Sequence, residues 1–364
     1  MDKSNALLIE YLQHHFPSMS LAIINVGKPG QSFDYGLTLS RIYAMPPPFS
    51  YSGGLRNSWR FIRILKQLAA DHDALIVQLP FIGFISLLFI NRPTVYHLCA
   101  NVLTAAANPI KYKGISRIFS LSFAWLMHWV YGRLFRRKRV RVIANGAELA
   151  ELYAAYKTAP VVSSSLVKED IIGVHELKDQ VQDIVKLLFV GRPSLEKGFD
   201  VLIEALSNLA VDFRLTVIGF TARELETLQP ASFERSRSFH DKIDFMGYRS
   251  WGSGLKEIIR GHDIAIVPSR SEGTPRVILE FMSQGVCVVA SNLGGIPSII
   301  RDGQNGVLVT PGEPQVLANE IRALAINAEW RKKLILHGIK TAQEHTIEEF
   351  VKPFVKAVEQ VKNE

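Results

Sequence analysis

Glu272 and Glu280 bracket the run with the most chemistry in this sequence, Ser271-Glu-Gly-Thr-Pro-Arg-Val-Ile-Leu-Glu280. Ionised carboxylates only accept hydrogen bonds, and each can take two from neighbouring sugar hydroxyls. A nucleotide sugar offers such hydroxyl pairs at both its ribose and its hexose. Between the glutamates, Gly273 and Thr274 present backbone amides ahead of Pro275, which suits a first helical turn because the N–H it lacks has no partner there. Amides at the positive end of a helix hold phosphate. A second run, Gly191-Arg-Pro-Ser-Leu-Glu-Lys-Gly198, brings Arg192 as a planar fork and Lys197 as a point charge for phosphate oxygens. Gly294-Gly295 is a third turn able to aim a helix start at the same ligand. Each feature also has a plain structural explanation, since acidic turns, solvated loop cations and glycine turns are ordinary in α/β proteins.

These turns need strands and helices to hold them. Asp263 to Arg270 has no helical period and reads as a buried parallel strand feeding a helix from Pro275. Strand and helix alternate through the whole second half, with strands at 185–191, 213–219, 242–247, 263–270, 286–291 and 306–310, which predicts a doubly wound parallel sheet. In the first half, strands are predicted at 20–26, 73–79 and 93–100 and a helix at 55–70 carrying Trp59, Ile62, Leu65 and Leu68. The Gly-, Pro- and Ser-rich segment 27–54 is expected to be irregular, and 157–180 to be a connection. His97 falls near the end of its strand, where open α/β sheets build ligand crevices, although histidine on a strand more often packs or faces solvent.

At 364 residues the chain is long for one core, so two domains are expected. We place them at 1–175 and 176–345, with 346–364 as a final helix. Cys99 and Cys287, both in apolar runs, argue against a disulfide scaffold and fit a reducing compartment. A polar start predicts no signal peptide, and no run reaches the roughly 18 apolar residues of a spanning helix. The net charge of +8 is uneven, with 19 Lys and Arg against 9 Asp and Glu in residues 1–175 and 23 against 25 beyond. Much of the basic excess lies in 110–141, where cations from Lys111 and Lys113 to Arg141 alternate with Phe119, Phe123, Trp125, Trp129, Tyr131 and Phe135. That mixture, with its aromatics expected to form one helical stripe, suits an interfacial helix on anionic lipid. Nucleic acid is disfavoured for want of a binding motif, while a core helix with a solvated basic end is the structural alternative.

Val190 to Ala205, Phe245-Met-Gly247, Val267 to Met282, Gly285 to Ala290 and Gly294 through Gly306 resemble, in order and spacing, the family 4 retaining glycosyltransferases. The resemblance implies an α/β GT-B fold, two Rossmann-like doubly wound parallel-sheet domains facing a cleft. It implies a UDP- or GDP-sugar donor with no other cofactor and no metal. Arg192 and Lys197, after Gly191, would hold the diphosphate. Glu280 would take the ribose, Glu272 with the amides of Gly273 and Thr274 the transferred sugar, and the backbone at Gly247 and Tyr248 the base. His97 would contact the donor sugar near the reacting carbon, and the final helix would cross back to the first domain. The acceptor would be a saccharide or lipid-linked saccharide of surface polysaccharide synthesis, handled in the cytoplasm or peripherally on a membrane. Family members usually begin with a strand and a Gly-rich loop. Here that element is missing or replaced by Ser52-Gly53-Gly54, or the start is internal to a longer chain. A catalytically impaired donor-binding or membrane-associated partner subunit, or an epimerase of related fold, therefore stays open beside the transferase.

Overall fold

Runs of Val, Ile and Leu bounded by Gly, Pro and Asn form short parallel strands throughout this chain, and helices return the chain between them. The computed structural model describes residues 3–24, 42–45, 58–81, 83–107, 112, 114–177 and 184–364. Ser52, Gly53, Gly54, Lys111 and Lys113 lie outside the described residues. The chain divides into two units, Met1–Ser165 with Ile347–Glu364, and Leu166–Thr346.

The first unit runs α1 (Lys3–His15), β1 (Leu21–Ile24), β2 (Ile42–Met45), α2 (Ser58–Asp71), β3 (Leu75–Leu79), β4 (Thr94–Leu98), α3 (Val102–Ala107), α4 (Ile115–Phe135), β5 (Val140–Asn145), α5 (Ala147–Leu152) and β6 (Ala159–Val161). Strands β3-β4-β5-β6 form one parallel sheet, and β1-β2 form a separate parallel pair. β2 falls inside the stretch expected to be irregular. β6 lies in the expected connection, where Pro160 is tolerated because the strand is at a sheet edge. The inward face of α2 is Phe61, Leu65, Leu68 and Ala69, whereas Trp59 is exposed. That stripe meets a 3-10 turn, Phe84–Phe89, whose Phe84 and Leu87 are buried. Arg137 closes the turn by donating to the carbonyls of Leu87, Leu88 and Ile90, a cation capping the negative end of a helical segment.

Helix α4 has two faces rather than one aromatic stripe. Met127, Val130, Tyr131, Leu134 and Phe135 enter the core, while Ile115, Ile118, Phe119, Trp125, Leu126 and Trp129 are exposed. Among the described residues no helix is long and apolar enough to cross a membrane.

The second unit continues with β7 (Val185–Val190), α6 (Phe199–Ser207), β8 (Phe213–Ile218), α7 (Ala222–Leu228), α8 (Pro230–Ser236), β9 (Ile243–Phe245), α9 (Ser253–Arg260), β10 (Ile264–Val267), α10 (Val277–Ser283), β11 (Cys287–Ser291), β12 (Val307–Val309), α11 (Pro314–Ile326) and α12 (Ala328–Glu344). The last helix, α13 (Ile347–Asn363), groups with the first unit. The sheet order is β12-β11-β10-β7-β8-β9, all parallel. Both faces are covered, so Leu187, Leu215, Ile264 and Val289 are fully buried. The division falls at 165/166 instead of 175/176 because the intervening segment is tied to the second unit. Ile172 N donates to Ser283 O at 2.9 Å, Gln284 Nε2 donates to Asp170 O at 2.5 Å, and Asp170 pairs with Lys256.

Candidate functional site

Strand order decides where a site can form in the second unit. From β7 the chain steps outward to β8 and β9, then returns to the other side for β10, β11 and β12. The direction therefore reverses between β7 and β10. In open parallel sheets the loops leaving the two strands at such a point diverge to opposite faces and leave a crevice at their carboxyl ends, which is where ligands bind. The loop after β7 carries Arg192 and Lys197, and the loop after β10 carries Glu272 and Gly273.

Two glycines lock these loops together. Gly198 has φ 67°, and a Cβ there would lie 1.8 Å from the Pro268 carbonyl oxygen at the end of β10. Gly294, at φ 56°, would place a Cβ 2.1 Å from the Glu272 carbonyl oxygen. Only glycine permits both the backbone angle and the approach. The contacts continue through Arg270 N to Glu196 O at 2.8 Å and Gly295 N to Gly273 O at 2.6 Å. The turns after β7, β10 and β11 thus form one layer.

Within that layer the Lys197 ammonium pairs with the Glu272 carboxylate, and both side chains are largely withdrawn from solvent. Ser269 Oγ donates to the same Glu272 oxygen at 3.1 Å. Arg270 pairs with Asp200 beside it. The hydroxyls of Ser194 and Thr274 are buried without a hydrogen-bond partner. A buried hydroxyl left unsatisfied is costly, so each marks a local penalty in the packing of these two loops.

The remaining candidates are distributed as follows. Arg192 is exposed at the start of its loop, and Gly273 is exposed beside Glu272. Pro275 lies ahead of α10, which begins at Val277 and has only seven residues. Pro275 therefore does not start the helix, and Glu280 sits in its first turn instead of one and a half turns in. The free amides of 273 and 274 are consequently loop amides, not a helix end. Gly191 closes β7 by donating to Ile218 O at 2.9 Å, and Gly247 accepts from Gly219 N at 2.9 Å. Tyr248, next in the chain, is 79% exposed.

His97 belongs to the first unit, on β4. It is buried, with its ring edge-on to Phe354 at 4.9 Å and tilted against Phe350 at 5.8 Å. Burial lowers its imidazole from 6.5 to about 4, so it is neutral at ordinary pH. Between those two values the unfolded chain takes up a proton that the folded chain refuses. Stability therefore falls as pH drops through that window and is unaffected above it. His262, buried in the second unit, is shifted in the same direction by the same cause. A His97→Leu variant is expected to lose only the His97 part. Its stability relative to the parent should rise on acidification by up to about 1.4 kcal/mol per pH unit. Urea titrations of the two proteins between neutrality and pH 4 check this, and parallel pH dependences would contradict it.

Sequence reasoning missed Ser269, Ser194 and the Arg270–Asp200 pair. Ser269 had a signal, the polar residue at the carboxyl end of a buried strand. The ion pairs had none, because they depend on β7 and β10 being neighbours.

Residues 184–327 match the family described as Glycosyl transferases group 1. Among curated proteins, the D-inositol 3-phosphate glycosyltransferase of Xylanimonas cellulosilytica is 30% identical over 203 residues, 54% of this chain and 45% of that protein. The chain spans about half the length of the curated relatives it matches. Among solved structures, the sucrose-phosphate synthase of Thermosynechococcus elongatus superposes with a TM-score of 0.75 at 16% identity, over 97% of this chain and 91% of that one. HepE of Anabaena in complex with UDP superposes with a TM-score of 0.66 at 20% identity, over 88% and 86%. These likenesses give the fold, which is GT-B.

Proposed function

From the premise that residues 184–327 form a glycosyl transferases group 1 domain, we propose that the chain transfers a hexosyl group from a UDP- or GDP-sugar to an acceptor hydroxyl, with retention at the anomeric carbon and no metal ion. The observation that carries this reading is the meeting of Lys197 and Glu272 from two loops that flank the reversal in strand order.

Lys197 and Arg192 take the diphosphate, and the amides of Gly273 and Thr274 complete the anion site. The arriving phosphate competes with Glu272 for the Lys197 ammonium. That frees a carboxylate, still oriented by Ser269, to accept from hexose hydroxyls. Glu280 takes the ribose, and the backbone at Gly247 and Tyr248 meets the base. As the sugar–phosphate bond breaks, negative charge grows on the leaving diphosphate, and fixed cations and amides stabilise it without reorganising.

The acceptor is a lipid-linked saccharide or growing polysaccharide at the cytoplasmic face of an anionic membrane. No Asp or Glu occurs between Asp73 and Glu148, while that stretch holds ten Lys and Arg. Arg137, Arg139 and Arg141 are engaged internally. Arg133 stacks on the exposed Trp129 at 5.2 Å, and Arg136 and Lys138 are exposed beside it. Cations at the rim of an exposed aromatic face suit anionic lipid.

Incubation with α-linked UDP-hexoses and GDP-hexoses and a lipid-linked acceptor in anionic vesicles tests both parts. We expect an α-linked product by NMR and sedimentation with vesicles that is lost at high salt. A β-linked product or no transfer would contradict the first part, and no sedimentation at low salt the second.

A further inference from the structure

Lys197 is a flexible side chain on a short turn, yet stabilising a developing charge needs its ammonium already in one place. A lysine stem has little geometry of its own, so its aim is set by the backbone beneath it, the 3-10 turn Leu195–Lys197. The turn's own bonds run from Lys197 N to Ser194 O at 3.0 Å and from Gly198 N to Leu195 O at 3.2 Å. One turn of this type, with its poor hydrogen-bond geometry, is a weak support.

Further support comes across from the loop after β10, through Arg270. Its backbone N–H donates to Glu196 O at 2.8 Å. Its guanidinium donates to Leu195 O at 3.4 Å and pairs with the Asp200 carboxylate. Those carbonyls belong to the two residues just before Lys197, and Asp200 lies in the first turn of α6, just beyond Gly198. Arg270 therefore grips the turn on both sides of Lys197. Two residues further on, Glu272 holds the lysine's head. The Arg270 and Asp200 side chains are 31% and 26% exposed. A pair so open to solvent adds little to overall stability, and its effect falls on the loop it holds.

Resting on the transferase reading of this site, we propose that Arg270 is a positioning residue for sugar transfer. Through Leu195 O and Asp200 its guanidinium holds the turn that aims the Lys197 ammonium at the leaving diphosphate. When donor phosphate draws Lys197 away from Glu272, one link between the two loops opens, and the Arg270 contacts keep the turn in place. Without them the flexible lysine can still follow a bound diphosphate, so donor affinity is largely kept. It is no longer fixed where charge develops, and only a group already in place stabilises that charge strongly. The loss therefore falls on turnover.

Steady-state kinetics of Arg270→Ala and Arg270→Lys, each made in the parent and in the Lys197→Ala background, test this. In the parent background Arg270→Ala should lower kcat about tenfold while donor KM changes by no more than about twofold. Its melting temperature should stay within about 3 °C of the parent. Arg270→Lys, which keeps a cation for Asp200 but not the planar guanidinium, should recover part of the rate. In the Lys197→Ala background neither change should lower kcat further, because the group being positioned is gone. Parental kcat in Arg270→Ala, or a rise in KM alone, would overturn the proposal. So would an equal proportional loss in both backgrounds, which a merely structural role would give. Should the alanine variant not fold, the lysine variant decides by the same comparison of backgrounds. Parental transfer by Lys197→Ala itself is a separate result, which would remove the site and the role of Arg270 with it.

Discussion

Lys197→Ala is expected to lower the rate of sugar transfer by about a hundredfold to a thousandfold, the usual effect of deleting one preorganised group that stabilises transition-state charge. The reason is geometric. Lys197 is the cation held inward at the reversal of strand order, against Glu272, whereas Arg192 is exposed. Removing the ammonium also leaves Glu272 largely buried without its countercharge, so part of the loss will appear as weaker donor binding. Steady-state rates for parent and variant, each at saturating donor, separate the two. Transfer within a few-fold of the parent would remove Lys197 from the site.

Gly198→Ala is expected to destabilise the second unit by about 3 to 5 kcal/mol, from a left-handed backbone angle that L-residues resist plus a steric clash. The added methyl would stand 1.8 Å from the Pro268 carbonyl oxygen at φ 67°. Neither partner can yield alone, because Pro268 is held by the buried strand β10 and Gly198 leads into α6. A loss of this size should lower the melting temperature by roughly 10 °C or more. Gly254→Ala is the control, since Gly254 lies in α9 with no neighbour within 4 Å of an added Cβ. That change should be neutral or slightly stabilising, as alanine is favoured over glycine within a helix. Equal melting of both variants would show that the close approach of the two loops does not matter.

The second unit was largely legible in the sequence because its strands are buried on both faces and read as unbroken apolar runs. Val185–Val190 and Cys287–Ser291 fall within a residue or two of the predicted strands. Misplacing the start of α10 had a specific cause. Pro275 does suit a first helical turn, but Gly294 and Gly295 pack on Glu272 to Thr274 and hold that backbone as a loop. The site residues were legible as types, not as partners. Lys197 and Glu272 are 75 positions apart, and only the order of strands brings them together.

The first unit was less legible. Four- and three-residue strands such as Ile42–Met45 and Ala159–Val161 are too short for a period to show. The single stripe read along 110–141 resolved into two faces because Tyr131 and Phe135 stack within the core, and only their aromatic character was visible beforehand. Arg137 likewise looked like surface charge but satisfies backbone carbonyls.

The claim on which the account rests is that a nucleoside diphosphate binds where the loops after β7 and β10 meet. Calorimetric titration of the chain with UDP and with GDP, repeated on Lys197→Ala, measures it directly. Saturable binding of at least one nucleotide, lost or strongly weakened in the variant, is the predicted result. Binding of neither nucleotide, or binding of equal strength in parent and variant, would contradict it.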